Sequence, residues 1–326
     1  MLLPYILISL SLLVAVSCYG RVTNYNETIA KKLLGMAAAA YGDQPQMCLD
    51  RMFPSHDVQI VLSTTKKMCD SFGNTCESYI AASNKRKELD VVFRGSRTTG
   101  QIILQGLNSF IGVNFFGMGV VNRYFKIGLN VLWPPIRQVL KDPKYAEYKV
   151  VFTGHSLGGA LATVAAARAA REGLRPGEEI LVYTFGAPRV GDTIFAANFN
   201  KIIPNCYRVV FRQDIVPHLP PCTKMSTYDE EVVGNICVAA SLMPYHQGTE
   251  IWYSYSMRPG SDYIECVGNP KGEDAACSNT FQFSYNHYED YTFDHRHYFA
   301  VQVPEFGKAG CDVSTIVENS EDWIKS

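Results

Sequence analysis

Surplus charge is almost absent from this chain: 30 Lys and Arg stand against 31 Asp and Glu, a formal net charge of -1. Such a chain has no basic excess with which to grip a phosphate backbone, which excludes nucleic acid as a partner. Internal repeats, low-complexity stretches and Pro- or Ser-rich linkers are also missing, and their absence argues for one globular domain. Long apolar runs are confined to the start. "MLLPYILISLSLLVAVSCYG" carries one from Leu2 to Val16, too short to span a bilayer comfortably and followed by small residues. Residues 1–20 therefore read as a secretory signal cleaved between Ser17 and Gly20, ahead of a single domain at 21–326. No Lys or Arg precedes the run, so an uncleaved anchor is the alternative.

What is present is core and cysteine. Of the 326 residues, 47% are hydrophobic, ample for a buried interior. Ten cysteines become nine once Cys18 leaves with the signal, and in a secreted chain that number implies disulfides and an oxidising compartment. An odd count leaves at least one thiol unpaired within the chain. Asn26-Glu27-Thr28 forms an N-glycosylation sequon consistent with secretion.

Short continuous apolar runs recur at 89–95, 148–154, 179–188, 206–212 and 249–257, the pattern of strands covered on both faces. Helical spacing lies between them. "TIAKKLLGMAAAAYG" is one expected helix, and an alanine-rich one runs from about Leu157 to Glu172, ended by Gly173. "VNRYFKIGLNVLWPPIRQVLKD" is a third, with Pro134-Pro135 expected to break or kink it. Strands alternating with helices predict an α/β fold with a sheet mostly parallel in its middle. "SNKRKELD" reads as a solvated hairpin turn.

At the junction of the second run and the alanine-rich helix lies Gly154-His155-Ser156-Leu157-Gly158. This G-x-S-x-G has a strand before it and a helix after it, the setting of a nucleophile elbow: glycines admit the tight turn, and the helix N-terminus favours a developing oxyanion. A serine hydroxyl needs a base, and the base needs an acid, in the chain order Ser, Asp or Glu, His. His218, His246, His287, His295 and His297 all follow Ser156, and order alone does not choose among them.

Six segments resolve that choice by resemblance. "FRGS", "GHSLGGALA", "YTFGAPRVGD", "RQDIVPHLPP", "YHQGTEIWY" and "FDHRHYF" stand in the order found in class 3, fungal-type triacylglycerol lipases, which the chain resembles from about Leu34 to Val303. The resemblance implies the α/β-hydrolase fold, with Ser156 as nucleophile, Asp214 as acid and His295 as base. His297 is the alternative base in a segment read as extended, and Asp192 the runner-up acid. It further implies an oxyanion hole built from Ser96 and the backbone N–H of Leu157. His155 and His218 read as packing or hydrogen-bonding groups.

In the segment where this family keeps its lid, Ile103, Leu107, Phe110 and Ile111 fall on one helical face, with Gly100, Gly106 and Gly112 as hinges. An apolar lid favours acylglycerols at a lipid interface over soluble esters, although related feruloyl esterases share the fold. The other reading is a lipid carrier on a lipase scaffold, against which the complete triad argues. No metal or organic cofactor is called for, since His287, His295 and His297 lack an accompanying cysteine or carboxylate set, and no obligate protein partner is evident. By analogy with family members, Cys48 pairs with Cys311, Cys69 with Cys76 and Cys266 with Cys277. Cys222 is then left to pair with Cys237, and Cys206 stays free.

Overall fold

The computed structural model describes residues 23–53, 55–69, 74–97, 109–224, 237–268 and 271–314. The expected signal at 1–20 lies outside them.

Two helices lead. α1 (Glu27–Ala39) starts where the Asn26 side chain accepts from the Ile29 N–H at 3.1 Å, and Glu27 pairs with Lys31 one turn on. These contacts satisfy one orphan donor and place an acid at the positive end of the helix. α2 (Pro45–Met52) opens on proline, whose missing N–H costs nothing at that position.

The strands follow: β1 (Val58–Met68), β2 (Thr75–Ser83), β3 (Glu88–Phe93), β4 (Gly112–Asn114) and β5 (Val120–Asn122). Next come α3 (Arg123–Lys141), β6 (Lys149–His155), α4 (Leu157–Arg171), β7 (Ile180–Phe185), β8 (Gly191–Asp192), α5 (Thr193–Ile202) and β9 (Asn205–Phe211). β10 (Pro244–Tyr245), β11 (Thr249–Tyr253), β12 (Ile264–Cys266), α6 (Tyr288–Arg296), β13 (His297–Tyr298), β14 (Val301–Gln302) and α7 (Val303–Lys308) complete the order.

The main sheet has eight strands in the order β1-β2-β3-β6-β7-β9-β11-β12. β3, β6, β7, β9 and β11 pair in parallel, and antiparallel strands flank them on both sides. Both faces are covered. Val91, Phe93, Val150 and Phe152 join a core with Phe125 and Leu129 of α3 and Leu161 and Val164 of α4. On the opposite face Val92, Val151, Phe185 and Val209 meet Leu33, Leu34 and Met36 of α1. This is the α/β-hydrolase architecture, and it accounts for strands that are continuously apolar rather than alternating.

Of the two outcomes expected at Pro134 and Pro135, the break does not occur: α3 runs unbroken through both. Phe125, Leu129, Leu132, Trp133 and Ile136 are all buried along it, and at roughly 1.5–3 kcal/mol each their burial outweighs a cost of about 3 kcal/mol per interior proline. The Trp133 indole N–H also donates to Glu172 at 3.1 Å, tying the helix to the end of α4.

Among the described residues four disulfides close the fold: Cys48–Cys311, Cys69–Cys76, Cys222–Cys237 and Cys266–Cys277. Cys206 is buried in β9 with its thiol unbonded. Among the described residues no helix is long and apolar enough to cross a membrane.

Candidate active site

The parallel strands end on one edge of the sheet, where α/β folds place their sites. β6 ends at His155, and Ser156 follows with φ 58° and ψ -129°, a strained turn for a non-glycine residue. The turn closes because its neighbours lack side chains. A Cβ on Gly158 would lie 2.2 Å from the Phe93 carbonyl oxygen, and one on Gly154 would lie 2.4 Å from the Gly158 carbonyl carbon.

Asp214 stands just beyond β9, and its Oδ1 accepts from the Val216 N–H at 2.9 Å. His295 occupies the last turn of α6. Its Nε2 lies 2.9 Å from Ser156 Oγ, and its Nδ1 lies 2.9 and 3.0 Å from the two Asp214 oxygens. All three residues are buried. With the Nδ1 proton donated to the carboxylate, Nε2 is left as the acceptor for the serine hydroxyl. Burial pushes the Asp214 carboxyl up, but the facing His295 and the Tyr298 hydroxyl, which donates to Oδ2 at 2.6 Å, together hold it below its usual range. Asp214 thus stays ionised in a dry site.

A second histidine braces the first. The His155 ring stacks on His295 with centroids 4.8 Å apart. Its Nε2 is 2.8 Å from the His295 backbone oxygen, and its Nδ1 is 2.8 Å from the Tyr41 hydroxyl. Burial, helped by His295, holds His155 neutral by lowering it to about 3. A neutral ring carries one proton. Nε2–H therefore donates to the His295 carbonyl, and Nδ1 accepts from Tyr41.

Ser96 follows β3 and lines the same cleft as Ser156 and His295. The turn before it is tied down by Arg94, which pairs with buried Glu77 and donates to Thr75 Oγ1 at 3.2 Å. Leu157 opens α4, so its N–H has no acceptor within the helix.

The alternatives lie elsewhere. The chain is helical through Arg296 and turns extended only at His297, where β13 starts; residues two apart in a strand share a face in any case, so it is the end of α6 at Arg296 that separates the two histidines. His297 Nδ1 donates to the Phe293 carbonyl at 2.7 Å, and burial lowers this histidine to about 4. Asp192 caps α5, its Oδ1 accepting from Phe195 N–H at 2.8 Å and Val120 N–H at 3.1 Å.

Ile103, Leu107, Gly100 and Gly106 of the expected lid lie outside the described residues. Its far end is not helical: Phe110 and Ile111 lead straight into β4, which Gly112 begins, and Phe115 is buried. Gly112 sits in a β-pair with Asn122 of β5, which explains why periodicity misleads there.

Residues 91–224 match the family described as Lipase (class 3). The chain is 40% identical over 295 residues to a lipase of Caenorhabditis elegans, covering 89% of this chain and 84% of that one. It belongs to the class 3 lipases. Within the family it is 36% identical over 154 residues to the secreted mono- and diacylglycerol lipase 1 of Fusarium solani, a match that spans 43% of that protein. Its fold superposes on the crystal structure of a lipase from Rhizopus microsporus var. chinensis with a TM-score of 0.66 at 26% identity, covering 86% of this chain and 89% of that one. As a class 3 lipase it is a carboxylic ester hydrolase acting on lipid esters.

Proposed function

We propose that this lipase is secreted and hydrolyses acylglycerol esters at a lipid interface through Ser156, His295 and Asp214. Ser156 Oγ attacks the ester carbonyl while His295 Nε2 takes its proton, and Asp214 orients the ring and stabilises the imidazolium. Ser96 and the Leu157 N–H receive the oxyanion, where one donor is worth about 100- to 1000-fold in turnover. His295 returns the proton to the leaving alcohol, and water clears the acyl-enzyme with the same base.

The observation that carries this reading is the His295 ring held within 3.0 Å of both Ser156 Oγ and Asp214 in a buried site. Four disulfides support an oxidising destination, with 1–20 as the signal and 21–326 as one hydrolase domain. Action at an interface is supported by the apolar run Ile102, Ile103, Leu104 and Leu107, and by Ile111 and Phe116, both exposed just beyond it. The test is fatty-acid release from an emulsified long-chain triacylglycerol against a soluble short-chain ester, with Ser156→Ala alongside. Emulsion turnover that vanishes in the variant is expected. Turnover of the soluble ester alone overturns the interface, and lipid binding without turnover of either substrate overturns the enzyme.

A further inference from the structure

The cleft beside Ser156 is cationic at its mouth, although the chain as a whole is not. Arg97, Arg296 and Lys308 line it together with Ser156 and His295. They keep 44%, 39% and 52% of their side-chain surface exposed. Among the described residues one lining carboxylate faces them, and it is shared: Glu305 Oε1 lies 3.3 Å from Arg296 Nη2 and 3.0 Å from Lys308 Nζ. Among the described residues Arg97 pairs with Glu77 at 3.6 Å, already bound to buried Arg94, and with Asp43 at 4.0 Å, which is 97% exposed.

A neutral acylglycerol gives these groups no counter-charge, and an apolar chain laid over them strips their water without replacing it. An anionic group attached near the scissile ester does replace it. Guanidinium groups offer paired N–H donors that match phosphate oxygens, and a low-dielectric wall strengthens the attraction. Arg296, in the last turn of α6, lines the cleft alongside Ser156 and His295.

Resting on the esterase reading above, we propose that the cleft selects glycerophospholipids, with Arg296, Arg97 and Lys308 holding the phosphate while Ser156 takes the acyl group. Ser156 Oγ bonds to the acyl carbon as the carbon–oxygen bond to glycerol breaks. The serine proton passes through His295 to the glycerol oxygen, and a lysophospholipid leaves. Water then attacks the acyl-enzyme, its proton returns through His295 to Ser156, and a fatty acid is released.

The test compares two substrates of identical acyl chains in non-ionic mixed micelles, phosphatidylglycerol and diacylglycerol. The diacylglycerol micelles carry a dialkyl ether phosphatidylglycerol that cannot be hydrolysed, so that surface charge is equal. The full secreted protein is expected to prefer phosphatidylglycerol, with the preference reduced about tenfold in Arg296→Leu, the loss of one charge-assisted hydrogen bond. Arg97→Gln is expected to reduce it in the same direction and guards against a fold defect peculiar to the first variant. No preference in the unmodified protein, or a preference both variants retain, overturns the proposal. Inorganic phosphate that alters diacylglycerol turnover in an Arg296-dependent way overturns it too, by assigning the cations to a free anion. If the unmodified protein hydrolyses neither lipid, it is the esterase reading that fails.

Discussion

His155 and His295 lie face to face with ring centroids 4.8 Å apart, and the side chain of the first holds the backbone of the second through a 2.8 Å hydrogen bond. The stack stays neutral on the His155 side because that ring is buried and lowered to about 3. A charged neighbour would oppose the imidazolium that the proposed mechanism forms on His295. The brace extends to Tyr41, whose hydroxyl fixes the His155 tautomer.

Removing that hydroxyl tests the brace. Tyr41→Phe leaves a buried acceptor on His155 unpaired, at about 1–3 kcal/mol, and loosens the seat of His295. The expected outcome is a kcat reduced about tenfold with KM little changed. An altered KM at constant kcat would make Tyr41 a substrate-binding residue instead, since it also lines the cleft.

Tyr298→Phe removes the 2.6 Å donor to Asp214 Oδ2. A hydrogen bond to the ionised form lowers a carboxyl's pKa, so its loss raises that of Asp214 and neutral Asp214 appears at higher pH. The acid limb of the kcat–pH profile is expected to move to higher pH. An unmoved limb in a folded variant removes Tyr298 from the site's electrostatics.

Gly186 has φ +57°, and a Cβ there would lie 2.5 Å from Asp214 Oδ2 and 2.9 Å from His295 Nδ1. Gly186→Ala forces a left-handed conformation costing about 1–2 kcal/mol and pushes Asp214 and His295 apart. Thermal unfolding and turnover are both expected to fall, with activity lost below the temperature at which the variant unfolds.

Asp294 is raised to about 7, chiefly by burial and only partly offset by Arg212. A carboxyl raised on folding contributes stability that is full below its unfolded pKa and lost as pH climbs through the folded value. Between pH 3.8 and 7 it therefore makes stability fall with rising pH, by about 4 kcal/mol at most from 1.36 kcal/mol per unit. Asp294→Asn keeps an acceptor for the Gln213 N–H and is expected to flatten that slope. Denaturant midpoints across this range check it, and an unchanged slope contradicts the raised value.

Much of this was legible in the chain itself. The apolar runs mark the parallel strands because both faces are covered, and G-x-S-x-G marks Ser156 because the elbow admits little else. Asp214, His295 and the disulfides came from resemblance, since order alone left five histidines. The brace of Tyr41 and His155 is not legible as such: Tyr41 stands 114 residues from His155, and only folding brings their polar atoms together. Pro134-Pro135 do not break α3, because local backbone rules carry no account of the apolar face that α3 buries. Gly112 misled because helical spacing was extended into a segment whose partner is a strand.

The most direct measurement is labelling with a long-chain phosphonate ester that traps an activated serine, read by peptide mass. A single adduct on the peptide containing Ser156, formed by the unmodified protein and slowed at least about 1000-fold by His295→Ala, is the predicted result. An adduct on another serine, or labelling of Ser156 that is indifferent to His295, would contradict the triad.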